Sequence, residues 1–157
     1  MFFEGGIFSR SHAQNTVADD TPTFYHLVPG TYVNGWPRFT IHYPKEWVEV
    51  RPRFGQAFRA AAPGSSGDLA FEVIVGTFPL PVEKLVEVQL KALMAIGTDA
   101  ALVSDTPTSL RDGTPTREVE VRFSANGAPG ICWGLLTKRG DMAIIANIVS
   151  LNGKIEA

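Results

Sequence analysis

The chain has 157 residues, 45% of them hydrophobic, which is typical of a single globular domain and excludes a mostly disordered chain. Its formal net charge of −2 argues against a nucleic-acid binder, which needs a basic face, and its one cysteine excludes an intramolecular disulfide. No apolar run approaches the roughly 20 residues of a membrane-spanning helix, so we expect no transmembrane span.

The N-terminal segment differs in composition from the rest. Residues 1–23 are rich in Ser, Thr, Asp and Asn, which predicts a flexible arm before a single domain over 24–157. Residues 1–8 lack a basic region and contain Glu4, so they make a poor signal peptide. Ser11-His12-Ala13 resembles a cleavage site, however, and keeps export open, to the periplasm or as a lipoprotein. The compartment stays undetermined, with the sequence as written slightly favouring the cytoplasm over export.

The first half of the domain predicts short strands, with ordered structure beginning over 24–27 and turns at Gly30 and Asn34-Gly35. Over 38–43, apolar and polar residues alternate, which predicts a half-buried strand with Phe39, Ile41 and Tyr43 on one face. Further extended segments are predicted over 48–50, 56–60 and 69–75.

One segment, 82–96, predicts a helix. Its apolar residues recur with a 3.6-residue period: Val82, Leu85, Val86, Leu90, Leu93 and Met94. From Leu85 onward we expect them to be mostly buried against a sheet. The charged residues of the other side should be exposed: Glu83, Lys84, Glu87 and Lys91. Gly97 predicts the end of the helix.

The C-terminal third predicts an antiparallel meander. Short strands at 102–103 and 109–110 precede a strand over 116–125, and Asn126-Gly127 predicts a tight hairpin to a strand over 131–138. The last strand, 142–151, is apolar on both faces, as in central strands that are covered on both sides. Because the helix can cover only one face, we expect the other to be covered by the N-terminal arm, by a partner, or by residues following Ala157.

No pattern predicts a catalytic or metal site. Cys132 lies in an apolar strand, where a free cysteine behaves as a small hydrophobe. Glu118 and Glu120 share one strand face, which is more typical of a solvated sheet than of a glycosidase carboxylate pair. The histidines are not spaced as metal ligands: His12, His26 and His42. We therefore expect no catalytic residues, no metal and no cofactor.

Aromatic residues concentrate between positions 36 and 58. Core packing is the default explanation, and a partner-binding edge is the alternative, because Trp and Tyr are favoured in binding hot spots. The residues expected to contact a partner are Trp36, Tyr43, Trp47 and Phe54.

Two motifs resemble signatures of PsbP-like proteins: FTIHYPKEW at 39–47 and TSLRDGTPTREVE at 108–120. The similarity covers about residues 24–157 and includes Ile144-Ile145-Ala146 in the last strand. It implies an α+β fold, an α/β/α sandwich around a central, mainly antiparallel sheet. In the family a long helix usually follows the last strand, and we expect this domain to lack it. The family includes the extrinsic subunit of photosystem II, a Ran-binding import factor and many bacterial proteins of unknown role, and it shares no active site.

These observations favour a non-enzymatic protein-interaction or accessory domain, of the kind found in bacterial family members. Its expected partner is another protein or a further domain of the same polypeptide. Two alternatives stay open. One is a domain that binds a small apolar ligand between helix and sheet, and the other is a hydrolase with an unrecognised site.

Overall fold

The computed structural model describes residues 28–53 and 55–152, together with the backbone of residues 3–4. In chain order, the elements are β1 (Phe3–Glu4), β2 (Thr31–Asn34), β3 (Phe39–His42), β4 (Val48–Glu49), β5 (Gln56–Ala61), β6 (Leu69–Thr77), α1 (Lys84–Met94), β7 (Thr98–Ser109), β8 (Pro115–Ala125), β9 (Ala128–Arg139) and β10 (Met142–Ser150). The expectations for Phe54, for His12 and His26, for the start at 24–27 and for the arm beyond residues 3–4 lie outside the described residues.

The described strands form two antiparallel sheets. The larger has seven strands in the order β4-β5-β6-β10-β9-β8-β7, and the smaller has the order β1-β3-β2. The hairpin predicted between β8 and β9 is confirmed, because Ala125 pairs with Ala128 and the two residues between them have positive φ angles of 51° and 78°. β10 lies between β6 and β9, so it is the central strand that its apolar composition predicts.

One face of the larger sheet, called here the helix face, carries α1. Leu85, Val86 and Leu93 are buried there against side chains of β8, β9 and β10. The charged side of α1 is exposed as predicted. Met94, which was expected to be buried, is 58% exposed, whereas Gln89, which lies outside the predicted apolar stripe, is buried. Met94 lies about 100° further around the helix axis than Leu93, beyond the contact with the sheet.

The opposite face, called here the hairpin face, is covered in part by the smaller sheet. Tyr32, Phe39 and Ile41 point onto it and are buried against residues of β5, β6 and β10. Tyr32 stacks on Phe58 with ring centroids 4.6 Å apart. The fold is therefore a mostly antiparallel sheet with one described helix on one face and strands on part of the other, more sheet-rich than the expected α/β/α sandwich. Additional cover from the arm, a partner or residues after Ala157 stays a prediction.

The edge strand β7 differs from the prediction. A single twelve-residue strand replaces the two short ones expected at 102–103 and 109–110. It pairs with β8 through two register shifts and contains Pro107, which an edge strand tolerates because one side of its backbone makes no sheet hydrogen bonds. Most of its side chains are exposed, and the strand lacks the apolar alternation that would predict its length. Backbone pairing with β8 holds it, together with the ion pair between Asp105 and Arg117.

Candidate functional site

The turn between β2 and β3 displays a tryptophan. The Trp36 side chain is 81% exposed, although Trp is highly buried on average. Asn34 lies buried beneath the turn and its Nδ2 donates a hydrogen bond to the Pro37 carbonyl at 2.8 Å. The Tyr32 hydroxyl donates to Asn34 Oδ1 at 2.7 Å, and burial raises the pKa of Tyr32 to about 12. The turn is thus tied to the core while its indole stands in solvent.

The other aromatic residues predicted to contact a partner have a different environment. Tyr43 is half-buried, with its ring centroid 5.1 Å from that of Phe58 and 5.9 Å from that of Phe71. Trp47 is also half-buried and packs against the same core cluster. Trp36 and Tyr43 lie beyond opposite ends of β3, so the structure does not bring them into one patch. Phe54 lies outside the described residues.

A second feature is a cavity on the hairpin face. It is open to solvent, has a volume of about 360 Å³, and is lined by Glu120, Ile131, Trp133 and Ile148. Glu120 pairs with Trp133 and Trp133 with Ile148, so these three residues form one row across β8, β9 and β10, and Ile131 lies beside Trp133 on the same face of β9. The sequence reasoning missed the three apolar residues. The signal that could have found them is the alternation of Ile131 and Trp133 opposite a strand that is apolar on both faces.

The carboxylates beside this cavity make defined contacts. The Trp133 indole Nε1 donates to Glu118 Oε1 at 3.2 Å. Glu120 Oε1 accepts from an Arg122 guanidinium nitrogen at 3.3 Å, and the Arg122 side chain is 68% exposed. Glu120 therefore lines the apolar cavity on the β8 side, and Glu118 contacts it through the Trp133 indole, which the sequence alone did not indicate.

The described cysteine and histidine differ in their surroundings. Cys132 is buried, Gln89 Nε2 donates to its sulfur at 3.3 Å, and burial raises the pKa of the thiol to about 12. The thiol is therefore protonated at ordinary pH, whereas the nucleophilic form of cysteine is the thiolate. Of the histidines, only His42 falls within 28–53 and 55–152, and it is exposed. The same ranges contain no cluster of three or more side chains that could hold a metal ion.

α1 has 11 residues, well short of the roughly 20 that a membrane-spanning helix needs. Over the residues that the structure describes, no helix is long and apolar enough to cross a membrane.

No protein-family model and no curated protein sequence matches the chain. Among solved structures, it is similar to cyanobacterial PsbP (CyanoP) of Synechocystis sp. PCC 6803, with a TM-score of 0.58 and 12% identity over 87% of this chain and 85% of that one. A protein from Bacteroides thetaiotaomicron matches with a TM-score of 0.50 and 15% identity, over 82% of this chain and 44% of that one. A protein of unknown function from Pseudomonas aeruginosa matches with a TM-score of 0.41 and 11% identity, over 67% of this chain and 83% of that one. The chain has a PsbP-like fold, as its motifs predicted.

Proposed function

We propose that this chain, whose fold is PsbP-like, is a non-enzymatic module that binds another protein. The binding site is the turn between β2 and β3 that carries Trp36, called here the Trp36 turn. The exposed Trp36 indole is the observation that carries the proposal, because Trp is enriched among the few residues that dominate binding energy at interfaces. The hydrogen bonds from Tyr32 to Asn34 and from Asn34 to Pro37 support it further. A turn that is already ordered loses little conformational freedom on binding, so more of the contact energy remains as affinity.

The residues beside Trp36 favour a partner of particular chemistry. Arg38 is exposed two positions after Trp36, and Arg is also enriched at hot spots. An indole with a neighbouring guanidinium complements an apolar pocket with a carboxylate at its rim. We therefore expect the partner to present such a pocket.

The environments of the reactive side chains support a non-enzymatic role. A catalytic nucleophile needs a low pKa or an adjacent base, whereas burial raises the pKa of Cys132. The carboxylates Glu118 and Glu120 contact Trp133 and Arg122 respectively, so each already has a partner in side-chain packing or ion pairing.

The test is quantitative recovery of partners from extracts of the source cells, followed by affinity measurement with the recovered partner. We expect Trp36→Ala to weaken binding by at least about thirtyfold, the loss of a hot-spot residue at 2 kcal/mol or more. The matched control is Leu80→Ala, because Leu80 is a large apolar residue that is 52% exposed outside the turn. Equal affinities of the Trp36→Ala and Leu80→Ala variants would contradict the proposal.

A second candidate function, binding of a small apolar ligand, is favoured by the cavity beside Trp133. The expectation for such a ligand was a pocket between helix and sheet, but this cavity lies on the hairpin face, away from α1. Its lining of Ile131, Trp133 and Ile148 with one carboxylate is the composition of a small-molecule site, mostly apolar with few polar groups.

A further inference from the structure

The cavity on the hairpin face has an apolar floor that the fold holds in place. Ile131, Trp133 and Ile148 are half-buried side chains of two paired strands, β9 and β10. Ile148 also pairs with Phe71, and both Trp133 and Ile148 pack against the core cluster that the smaller sheet covers. The hydrogen bond from the Trp133 indole to Glu118 restricts rotation of the ring. A flat apolar group could lie on this surface without rearranging it.

On the β8 side the cavity is lined by the Glu120 carboxylate, and a second carboxylate, Glu118, accepts the hydrogen bond from the Trp133 indole beside it. Glu118 and Glu120 lie two residues apart on the same face of β8, which places their Cα atoms about 7 Å apart. Glu120 forms an ion pair with Arg122 at 3.3 Å, and the Arg122 side chain is 68% exposed. An ion pair with so much solvent contact is weak and easily exchanged. A ligand cation could therefore replace the Arg122 guanidinium at Glu120 without a buried charge being left unpaired.

We propose that this cavity binds a small organic cation, with its apolar body on the Trp133 surface and its ammonium group against Glu120. The indole adds to the selectivity, because a cation close to an aromatic face is attracted by the ring quadrupole. A neutral ligand would make only the apolar contacts, and a carboxylate ligand would be repelled by Glu118 and Glu120. This inference rests on the second candidate function and is independent of Trp36.

Three probes of similar size and different charge test the proposal: phenethylammonium, phenethyl alcohol and hydrocinnamate. Each is titrated into the full chain while the indole N–H resonance of Trp133 is followed by heteronuclear NMR, with Trp133→Phe identifying that resonance. We expect phenethylammonium to bind more tightly than phenethyl alcohol and hydrocinnamate to bind most weakly. The Trp133 resonance should move more than that of Trp36.

The substitution Glu120→Gln removes the carboxylate charge at the cavity and keeps the size of the side chain, so it measures the contribution of that charge to ligand binding. We expect it to weaken phenethylammonium binding about two- to fivefold, the range of an exposed ion pair, and to leave phenethyl alcohol unaffected. The matched control is Glu87→Gln, because Glu87 is exposed on α1 across the sheet. Equal affinity for the cation and the alcohol would overturn the cation preference and leave the apolar-ligand function standing. No response of Trp133 to any probe would overturn both.

Discussion

Asn34→Ala tests whether buried hydrogen bonds hold the turn that displays Trp36. The substitution removes the acceptor of the Tyr32 hydroxyl and the donor to the Pro37 carbonyl. Tyr32 is 1% exposed and Asn34 is 6% exposed, so water cannot readily replace the lost partners. The turn should therefore lose both stability and a defined conformation.

The size of the effect follows from these two bonds. A typical hydrogen bond stabilises the folded state by about 1 kcal/mol net, and a buried group left without a partner costs about 1–3 kcal/mol. Two bonds are lost and one fully buried hydroxyl is left unsatisfied, so we expect Asn34→Ala to lower the free energy of unfolding by about 2–4 kcal/mol. Tyr32→Phe removes only the first bond and should lower it by about 1–2 kcal/mol.

Urea unfolding of the two single variants and the double variant measures these losses. Because Tyr32 and Asn34 share a bond, the double variant should lose less stability than the sum of the single losses. A loss below about 0.5 kcal/mol for Asn34→Ala, the range of ordinary surface substitutions, would refute the reasoning. So would strict additivity of the two substitutions.

Three further predictions concern the helix, the hairpin and the alkaline limit of stability. Leu85→Ala should cost about 2–5 kcal/mol in urea unfolding because Leu85 is 1% exposed, whereas Val88→Ala, at 41% exposed, should cost less than about 0.5 kcal/mol; similar losses would contradict the packing of α1. Gly127→Val should lower stability by about 1 kcal/mol or more because φ at Gly127 is +78°, and Gly35, whose φ is not positive, is the control position; a neutral Gly127→Val would count against the tight turn. Burial raises the pKa of Tyr32 from 10.0 to about 12, so the stability that its neutral hydroxyl contributes is complete below pH 10 and is lost as the pH rises toward 12. Between pH 10 and 12 the free energy of unfolding should fall more steeply for the wild-type protein than for Tyr32→Phe, and parallel falls would contradict the prediction.

Local sequence patterns were sufficient to predict α1 and much of the larger sheet. The helix was predictable because Leu85, Val86 and Leu93 recur with its period, and the β8–β9 hairpin because Asn126-Gly127 separates two alternating segments. The layer on the hairpin face was not fully predictable. β2 has only four residues between turn signals, and its burial depends on contact with distant strands. The length of β7 was underestimated because its residues pair with β8 through the backbone and show no apolar alternation that could have marked the strand.

The candidate sites also depend on tertiary contacts that local sequence patterns do not reveal. Trp36 and Tyr43 are both aromatic residues flanking one strand, and only tertiary packing makes one exposed and the other half-buried. The cavity depends on the register that aligns Glu120, Trp133 and Ile148 across three strands. Residues that are distant in the chain line one surface, so no short motif could have indicated it.

Photo-crosslinking from position 36 is the measurement that tests the proposed function most directly. p-Benzoylphenylalanine in place of Trp36 is activated in the source cells, and the same photoreactive residue in place of Leu80 serves as the control. We expect a discrete covalent adduct with one partner protein from position 36 and none from position 80. No adduct from position 36, or the same set of adducts from both positions, would contradict the assignment of the Trp36 turn as the partner-binding site.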